Sequence, residues 1–190
     1  MRLSHREDGL RMTDFSLQRF GRSPDPVSPC LAITGTVLRQ GGVLSLHFLV
    51  TGDIGGLDVP GPRQPGRRRH ELWRHSCFEC FIGIQKLEEY WEVNLAPNGD
   101  WNVYHFDGYR TGMVEEPALW GLPCAFHAGR KEVRVGMEVD LSPIIREEQI
   151  LELGICAVLE HRHGEVSYWA LRHRGGGADF HHRSGFELTL

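Results

Sequence analysis

The amino-acid sequence predicts an all-β fold, an antiparallel β-sandwich of the jelly-roll or immunoglobulin-like kind with at most one or two short helical turns. Three observations predict it. Apolar and polar residues alternate over several short windows, as in Leu44, Leu46, Phe48 and Val50, the period of a strand with one buried face. Turn formers such as Gly41-Gly42 and Asn98-Gly99 separate the windows at the intervals typical of sandwiches and barrels. The chain has 190 residues, 41% of them hydrophobic, which suits one all-β domain with a real core.

Residues 1–29 read as an N-terminal leader, packed on the domain or partly ordered, because Pro24, Pro26 and Pro29 break any regular element. Residues 30–190 read as one sandwich domain. The stretch 30–39 is apolar and β-branched, Gly41-Gly42 permits the positive φ of a tight turn, and 43–51 alternates strictly. Together they read as a hairpin. Residues 52–70 carry five glycines and three prolines and end in Arg67-Arg68-Arg69-His70. That is a long loop inside the domain, with a solvated basic run.

A meander follows. In 77–85, Phe78, Cys80, Ile82 and Ile84 share one face, and Cys77, Glu79 and Phe81 the other. In 90–95, Trp91, Val93 and Leu95 oppose Tyr90, Glu92 and Asn94. Pro97-Asn98-Gly99-Asp100 is a turn, and 101–106 is the third strand. Residues 108–128 read as irregular. Val133, Val135, Met137 and Val139 then point inward, Asp140-Leu141-Ser142-Pro143 suits one helical turn, and Leu151, Leu153, Ile155, Ala157 and Leu159 form another inward row. Residues 166–171 and 186–190 are the closing strands.

Charge and targeting exclude several classes. There are 21 Lys+Arg against 25 Asp+Glu, a net charge of −4, so nothing points to nucleic acid. The longest apolar stretches are too short for a membrane span. The first residues, MRLSHREDGL, hold no apolar signal region, and five scattered cysteines make no disulfide framework. The expectation is a cytoplasmic protein.

Few constellations suggest chemistry. Cys77 and Cys80 are spaced like half a zinc site or a redox pair, but strand geometry puts them on opposite faces. They are read as unrelated thiols that neither bridge nor hold zinc. His161, His163, His173, His181 and His182 are read chiefly as a polar loop rim. Glu79, Glu92 and Asn94 share one face of the meander. They suit a glycosidase pair, acceptors for sugar hydroxyls, or simply a solvated strand surface. Trp73 and Trp169, at strand ends, suit stacking or burial. The nucleophile-elbow, zincin, P-loop and dinucleotide motifs are absent from the sequence.

The blocks 72–73, 77–83, 90–101, 104–113, 167–173 and 179–186 resemble bacterial DOMON-like domain proteins, over a span from about Thr34 to the end. That family is similar to the wider group of DOMON domains and family 9 carbohydrate-binding modules, sandwiches that bind sugars or haem in a concave site. The resemblance implies a stacking Trp six residues before a Glu, matched by Trp73 and Glu79. It implies a polar residue two before an Asn, matched by Glu92 and Asn94, although the first is often basic there. A second Trp closes the clamp, and Trp169 is the candidate. Arg110, Arg172 and His173 are expected nearby. In haem relatives Met and His are axial ligands, for which Met113, His173 and His181 are the candidates.

The leading reading is a non-catalytic domain that binds a small saccharide-like ligand through Trp73, Glu79, Glu92, Asn94, Arg110, Trp169, Arg172 and His173, without cofactor or metal. The alternative is a haem b domain for electron transfer or sensing. A third is a glycoside-active enzyme using Glu79 and Glu92.

Overall fold

Strand alternation closes into two facing sheets in the computed structural model, which describes residues 12–21, 31–63 and 65–190. Among these residues there are twelve strands: β1 (Met12–Arg19), β2 (Ala32–Gln40), β3 (Val43–Thr51), β4 (Cys77–Ile84), β5 (Tyr90–Leu95), β6 (Trp101–Phe106), β7 (Val114–Glu115), β8 (Cys124–Ala128), β9 (Glu132–Asp140), β10 (Leu151–Glu160), β11 (Val166–Ala170) and β12 (Leu188–Thr189). Helix is limited, among the described residues, to single 3-10 turns at Ile54–Gly56, Leu72–Arg74 and Arg183–Gly185. The turn foreseen at Asp140-Leu141-Ser142-Pro143 is there as one loop of chain. The Ile145 N–H donates to Leu141 O at 2.8 Å, and Asp140 Oδ1 caps Ser142 N.

The pairing is antiparallel throughout the strands, in the order β7-β6-β5-β4-β10-β11-β1-β2-β3-β9-β8. The front sheet runs from β7 to β11, and β12 continues the β11 row along β10. The back sheet is β1-β2-β3-β9-β8. A short ladder, Gln18 opposite Ala170 and Arg19 opposite Trp169, joins the two, so one curled sheet supplies both layers of the sandwich. The stretch read as leader therefore supplies β1, whose Phe15 and Leu17 enter the core while Asp14 and Ser16 stay exposed. The sandwich begins before residue 30. Cys30, Pro24, Pro26 and Pro29 lie outside the described residues. Within 108–128, read as irregular, β7 and β8 add edge strands.

The core lies between the sheets. Leu44, Leu46, Phe48, Val135 and Met137 of the back sheet meet Ile82, Ile84, Val93, Leu153 and Ile155 of the front sheet, the rows that alternation assigns inward. Burial of a large aliphatic or aromatic side chain contributes about 1.5–3 kcal/mol, so these rows fix register as well as stability: a one-residue slip would turn each of them outward.

The front sheet departs from the usual half-buried pattern. Every residue of β4 and β5 is buried, on both faces. The outer face is covered by a second cluster, Phe81, Tyr90, Tyr104, Phe106 and Phe186 with Trp73 and Phe180 packed against it. Two glycines let the segment after β11 settle onto this face. A Cβ at Gly154 would meet the Phe186 ring at 2.8 Å, and one at Gly83 would coincide with the Arg183 guanidinium. That guanidinium bonds Glu152 Oε2 at 2.8 Å and Ile84 O at 2.7 Å, which ties the chain end to β4 and β10.

Candidate functional site

The covered outer face of the front sheet holds a pocket of about 340 Å³, within the size range of small-ligand sites. Glu79 and Phe81 of β4, Glu92 of β5, Phe106 of β6, Val158 of β10 and Tyr168 of β11 form its floor. Trp73 enters from the turn before β4. Arg110 and Met113 come from the β6–β7 connection, and Phe180 and His181 from the segment after β11. A wider hollow of about 710 Å³ lies across the outer face of the back sheet. Its charged rim, Asp14 and Arg134, is exposed, so it offers none of the desolvated polar groups that orient a ligand.

The register explains the floor. Glu79 stands opposite Asn94 on β5 and Cys156 on β10, and Glu92 stands opposite Phe81. The two acids are thus diagonal neighbours on one pleated surface. Glu79 is 2% exposed and Glu92 4%. Asn94 Nδ2 donates to Glu92 Oε1 at 2.7 Å, and Cys77 Sγ donates to Asn94 Oδ1 at 3.5 Å. Cys156 Sγ donates to Glu79 Oε2 at 3.5 Å. Glu79 Oε1 has no hydrogen-bond partner, although it is buried.

Burial governs the charge of this floor. Loss of water, and then the neighbouring Glu92 carboxylate, push Glu79 up to about 8, and the Cys156 thiol bond offsets this only in part. Loss of water pushes Glu92 up to about 7, against the Asn94 hydrogen bond and the Arg110 charge. His181 moves the other way, down to about 4, through burial and then the Arg110 charge. Its imidazole packs among Phe81, Tyr90 and Phe106, with centroids 5.0, 5.9 and 5.1 Å away.

One carboxylate locks the rim. Asp179 Oδ1 accepts from Arg110 Nη2 at 2.9 Å and from the His181 N–H at 3.2 Å, while Oδ2 accepts from Tyr109 Oη at 2.6 Å. Burial opposes ionisation of Asp179, and the Tyr109 and Arg110 bonds outweigh it, so its carboxyl is held below its usual value. Arg110 sits at φ +53, a left-handed conformation that costs a non-glycine residue energy. The Asp179 contacts hold it there.

The structure brings together Trp73, Glu79, Glu92 and Arg110, with Asn94 directly behind Glu92. It does not bring in Trp169, Arg172 or His173. Trp169 is 6% exposed, belongs to the inter-sheet core, and donates Nε1–H to Ser167 Oγ at 3.0 Å. It pairs with Ala157, an inward residue, whereas Tyr168 pairs with Val158, which faces the pocket. The aromatic that β11 offers to the site is therefore Tyr168. Arg172 is bound to Glu187 at 2.7 Å, and His173 Nε2–H donates to Gln18 O at 2.7 Å; neither lines the pocket. Of the axial-ligand candidates, Met113 and His181 line it and His173 does not. Phe106, Phe180 and Tyr168 were not assigned to the site from sequence. For Tyr168 the parity of β11 against the Ala157 row was the available signal. Phe180 lies in a loop and carries none.

Cys77 and Cys80 do lie on opposite faces: Cys80 is in the inter-sheet core and Cys77 faces Asn94. Among the described residues no group of three or more His, Cys, Asp or Glu side chains is placed to hold a metal ion. No helix among them is long and apolar enough to cross a membrane.

The curled antiparallel sandwich shares its fold with solved carbohydrate-binding proteins. The solved structures it resembles include a "putative carbohydrate-binding protein" of Bacteroides uniformis, with a TM-score of 0.61 and 12% identity over 93% of this chain and 85% of that one. They also include a family 9 carbohydrate-binding module of Caldicellulosiruptor kristjanssonii in complex with cellotriose, with a TM-score of 0.56 and 10% identity over 93% of this chain and 80% of that one. At such identities the likeness is one of fold. No protein-family profile matches the chain. Among curated sequences it is similar to the UPF0462 protein C4orf33 of Homo sapiens, 33% identical over 78 residues, which are 40% of this chain and 37% of that protein. The homologous Rattus norvegicus protein is 36% identical over 63 residues, 33% of this chain and 32% of its own length. The chain thus matches only about a third of the length of these relatives.

Proposed function

We propose that this chain is a non-catalytic, DOMON-like binding domain whose front-sheet pocket takes a small saccharide-type ligand. The observation that carries the proposal is Glu79 Oε1: a buried carboxyl oxygen without a hydrogen-bond partner, in a pocket lined by Trp73, Phe81, Phe106, Tyr168 and Phe180. An unpaired buried acceptor costs about 1–3 kcal/mol, and a ligand hydroxyl or amine would remove that cost. Aromatic walls suit the apolar face of a sugar ring. The sandwich neighbours, one of them bound to cellotriose, support this ligand class.

The two acids argue for binding rather than hydrolysis. A glycosidase sets its carboxyl groups on either side of the scissile bond. Glu79 and Glu92 rise side by side from one floor, and the Glu92 charge raises Glu79. The free thiols of Cys77, Cys80 and Cys156 suit a reducing compartment, and a cytoplasmic address is part of the proposal.

Calorimetry against a panel of mono- and disaccharides tests it, on wild type, Trp73→Ala and Glu79→Gln. Wild type binds at least one sugar, Trp73→Ala binds at least 10-fold more weakly while remaining folded, and Glu79→Gln is weakened less. A panel with no binder removes the proposal. Because Met113 and His181 face the same pocket, haem b is the second reading. A Soret band in purified wild type, lost in the double variant of Met113→Ala and His181→Ala, would favour it.

A further inference from the structure

The pocket floor holds two buried carboxyl groups, and among the described residues no lysine or arginine side chain forms an ion pair with either. The groups that face the pair can be named element by element. β4 offers Cys77 and β10 offers Cys156, thiols that burial keeps far from ionisation. β5 and β6 offer the phenols of Tyr90 and Tyr104, both raised by burial. The segment after β11 offers His181, whose imidazole is neutral and whose Nε2 lies 3.8 Å from Glu92 Oε2. The β6–β7 connection offers Arg110, but its guanidinium is paired with Asp179 and half exposed.

We infer that this floor recognises a cationic nitrogen, an organic ammonium group, seated between Glu79 and Glu92 beneath the aromatic walls. The inference rests on the saccharide reading above for its ligand class, and on that reading the ligand is an amino sugar with a free amine.

Three features carry it. Glu79 Oε1 wants a donor, and an ammonium supplies three. Two acidic groups already stripped of water favour a ligand whose own charge offsets theirs, which an ammonium does and a neutral sugar does not. The rings of Trp73, Phe81, Phe106 and Phe180 line the pocket, and aromatic rings attract a cation electrostatically where they do not attract a neutral group. The proton balance follows. Near neutral pH the pair retains on the order of one proton between its two carboxyl groups. The arriving ammonium favours both carboxylates, so that proton leaves to solvent as the ligand binds.

Calorimetry at pH 7 in two buffers of different ionisation enthalpy tests this, with glucosamine, N-acetylglucosamine, glucose and ethanolamine as probes. Wild type is expected to bind glucosamine at least 10-fold more tightly than the two neutral sugars, with net proton release. Glu92→Gln and Glu79→Gln, checked for intact melting, are each expected to cut the preference to 3-fold or less. If glucose or N-acetylglucosamine binds as tightly as glucosamine, the cation inference is overturned and the saccharide reading stands. If ethanolamine binds and no sugar does, the inference is upheld and the saccharide reading falls. If none of the four binds, both are overturned.

Discussion

Tyr90 Oη lies 2.8 Å from His181 Nδ1, and the same oxygen accepts the Arg110 backbone N–H at 3.2 Å. One phenol on β5 therefore anchors both loops that wall the pocket. Because Tyr90 Oη accepts from Arg110, its own proton is free to point at Nδ1, which leaves the imidazole proton on Nε2, toward Glu92.

The first prediction is that His181 stays neutral, in the Nε2–H tautomer, until the pH falls to about 4. Its folded value is depressed, so it contributes stability above its unfolded value near 6.5 and loses that contribution as the pH falls toward 4. Nitrogen-detected NMR of the imidazole reads this directly. An imidazolium signal for His181 at pH 6 would contradict it, and Tyr90→Phe should abolish the tautomer preference.

The second concerns the acids. Glu79 and Glu92 have folded values raised to about 8 and about 7, above their unfolded values near 4.5. The folded chain then binds more protons than the unfolded one, so their effect is to lower stability as pH rises through this window. The wild type and a Glu79 variant share the His181 titration, whose unfolded value lies near 6.5, so the difference between them over pH 6.5–8 isolates the acid. Glu79→Gln should raise the Tm at pH 8 by at least 2–4 °C, roughly 1 kcal/mol in a domain of this size, with a smaller gain at pH 6.5. A wild-type Tm that is flat across that interval, with no gain in the variant, would remove the argument.

The third separates two neighbouring aromatics. Trp169→Ala empties a core site and should cost about 3–5 kcal/mol in urea unfolding. Tyr168→Ala, at a residue 39% exposed, should cost about 1 kcal/mol or less and weaken ligand binding instead. Equal destabilisation by both would mean that Tyr168 is structural.

The fourth tests the glycine seat of the chain end. Gly83→Ala displaces the Arg183 guanidinium from Ile84 O and Glu152. The segment after Ala170 should become cleavable by trypsin at Arg172 or Arg174 at least 10-fold faster, while the far-UV spectrum of the sandwich is unchanged. Unaltered cleavage would show that Arg183 does not hold the cover in place.

Much of the sandwich was legible because a strand announces itself locally. The pleat alternates side chains between faces, so Leu44 to Val50, the even-numbered row of β4 and Leu151 to Leu159 could be assigned inward without knowing their partners. β1 escaped notice because only Phe15 and Leu17 mark it as a buried strand, beside a proline-rich stretch. β8 escaped because it is an edge strand with no buried residue.

The site was legible only in part, for the same reason. Parity placed Glu79, Glu92 and Asn94 on one face, but it could not tell a solvated face from a covered one. Trp73 stands out in the sequence as an aromatic at a strand end, and Trp169 was assigned the role that Tyr168 occupies in space, since stacking aromatics and core aromatics look alike in sequence.

The sequence by itself determined which rows of residues share a face, because that depends on the backbone between near neighbours. Only the tertiary structure decided which face meets water. The residues that cover Glu79 and Glu92 arrive from His181 and Phe180, nearly a hundred positions along the chain, and from the rim that Asp179 ties to Arg110. Burial, and with it the raised carboxyl groups and the donorless oxygen of Glu79, is set by those distant contacts. No local pattern encodes them, because desolvation depends on everything that surrounds a group in space.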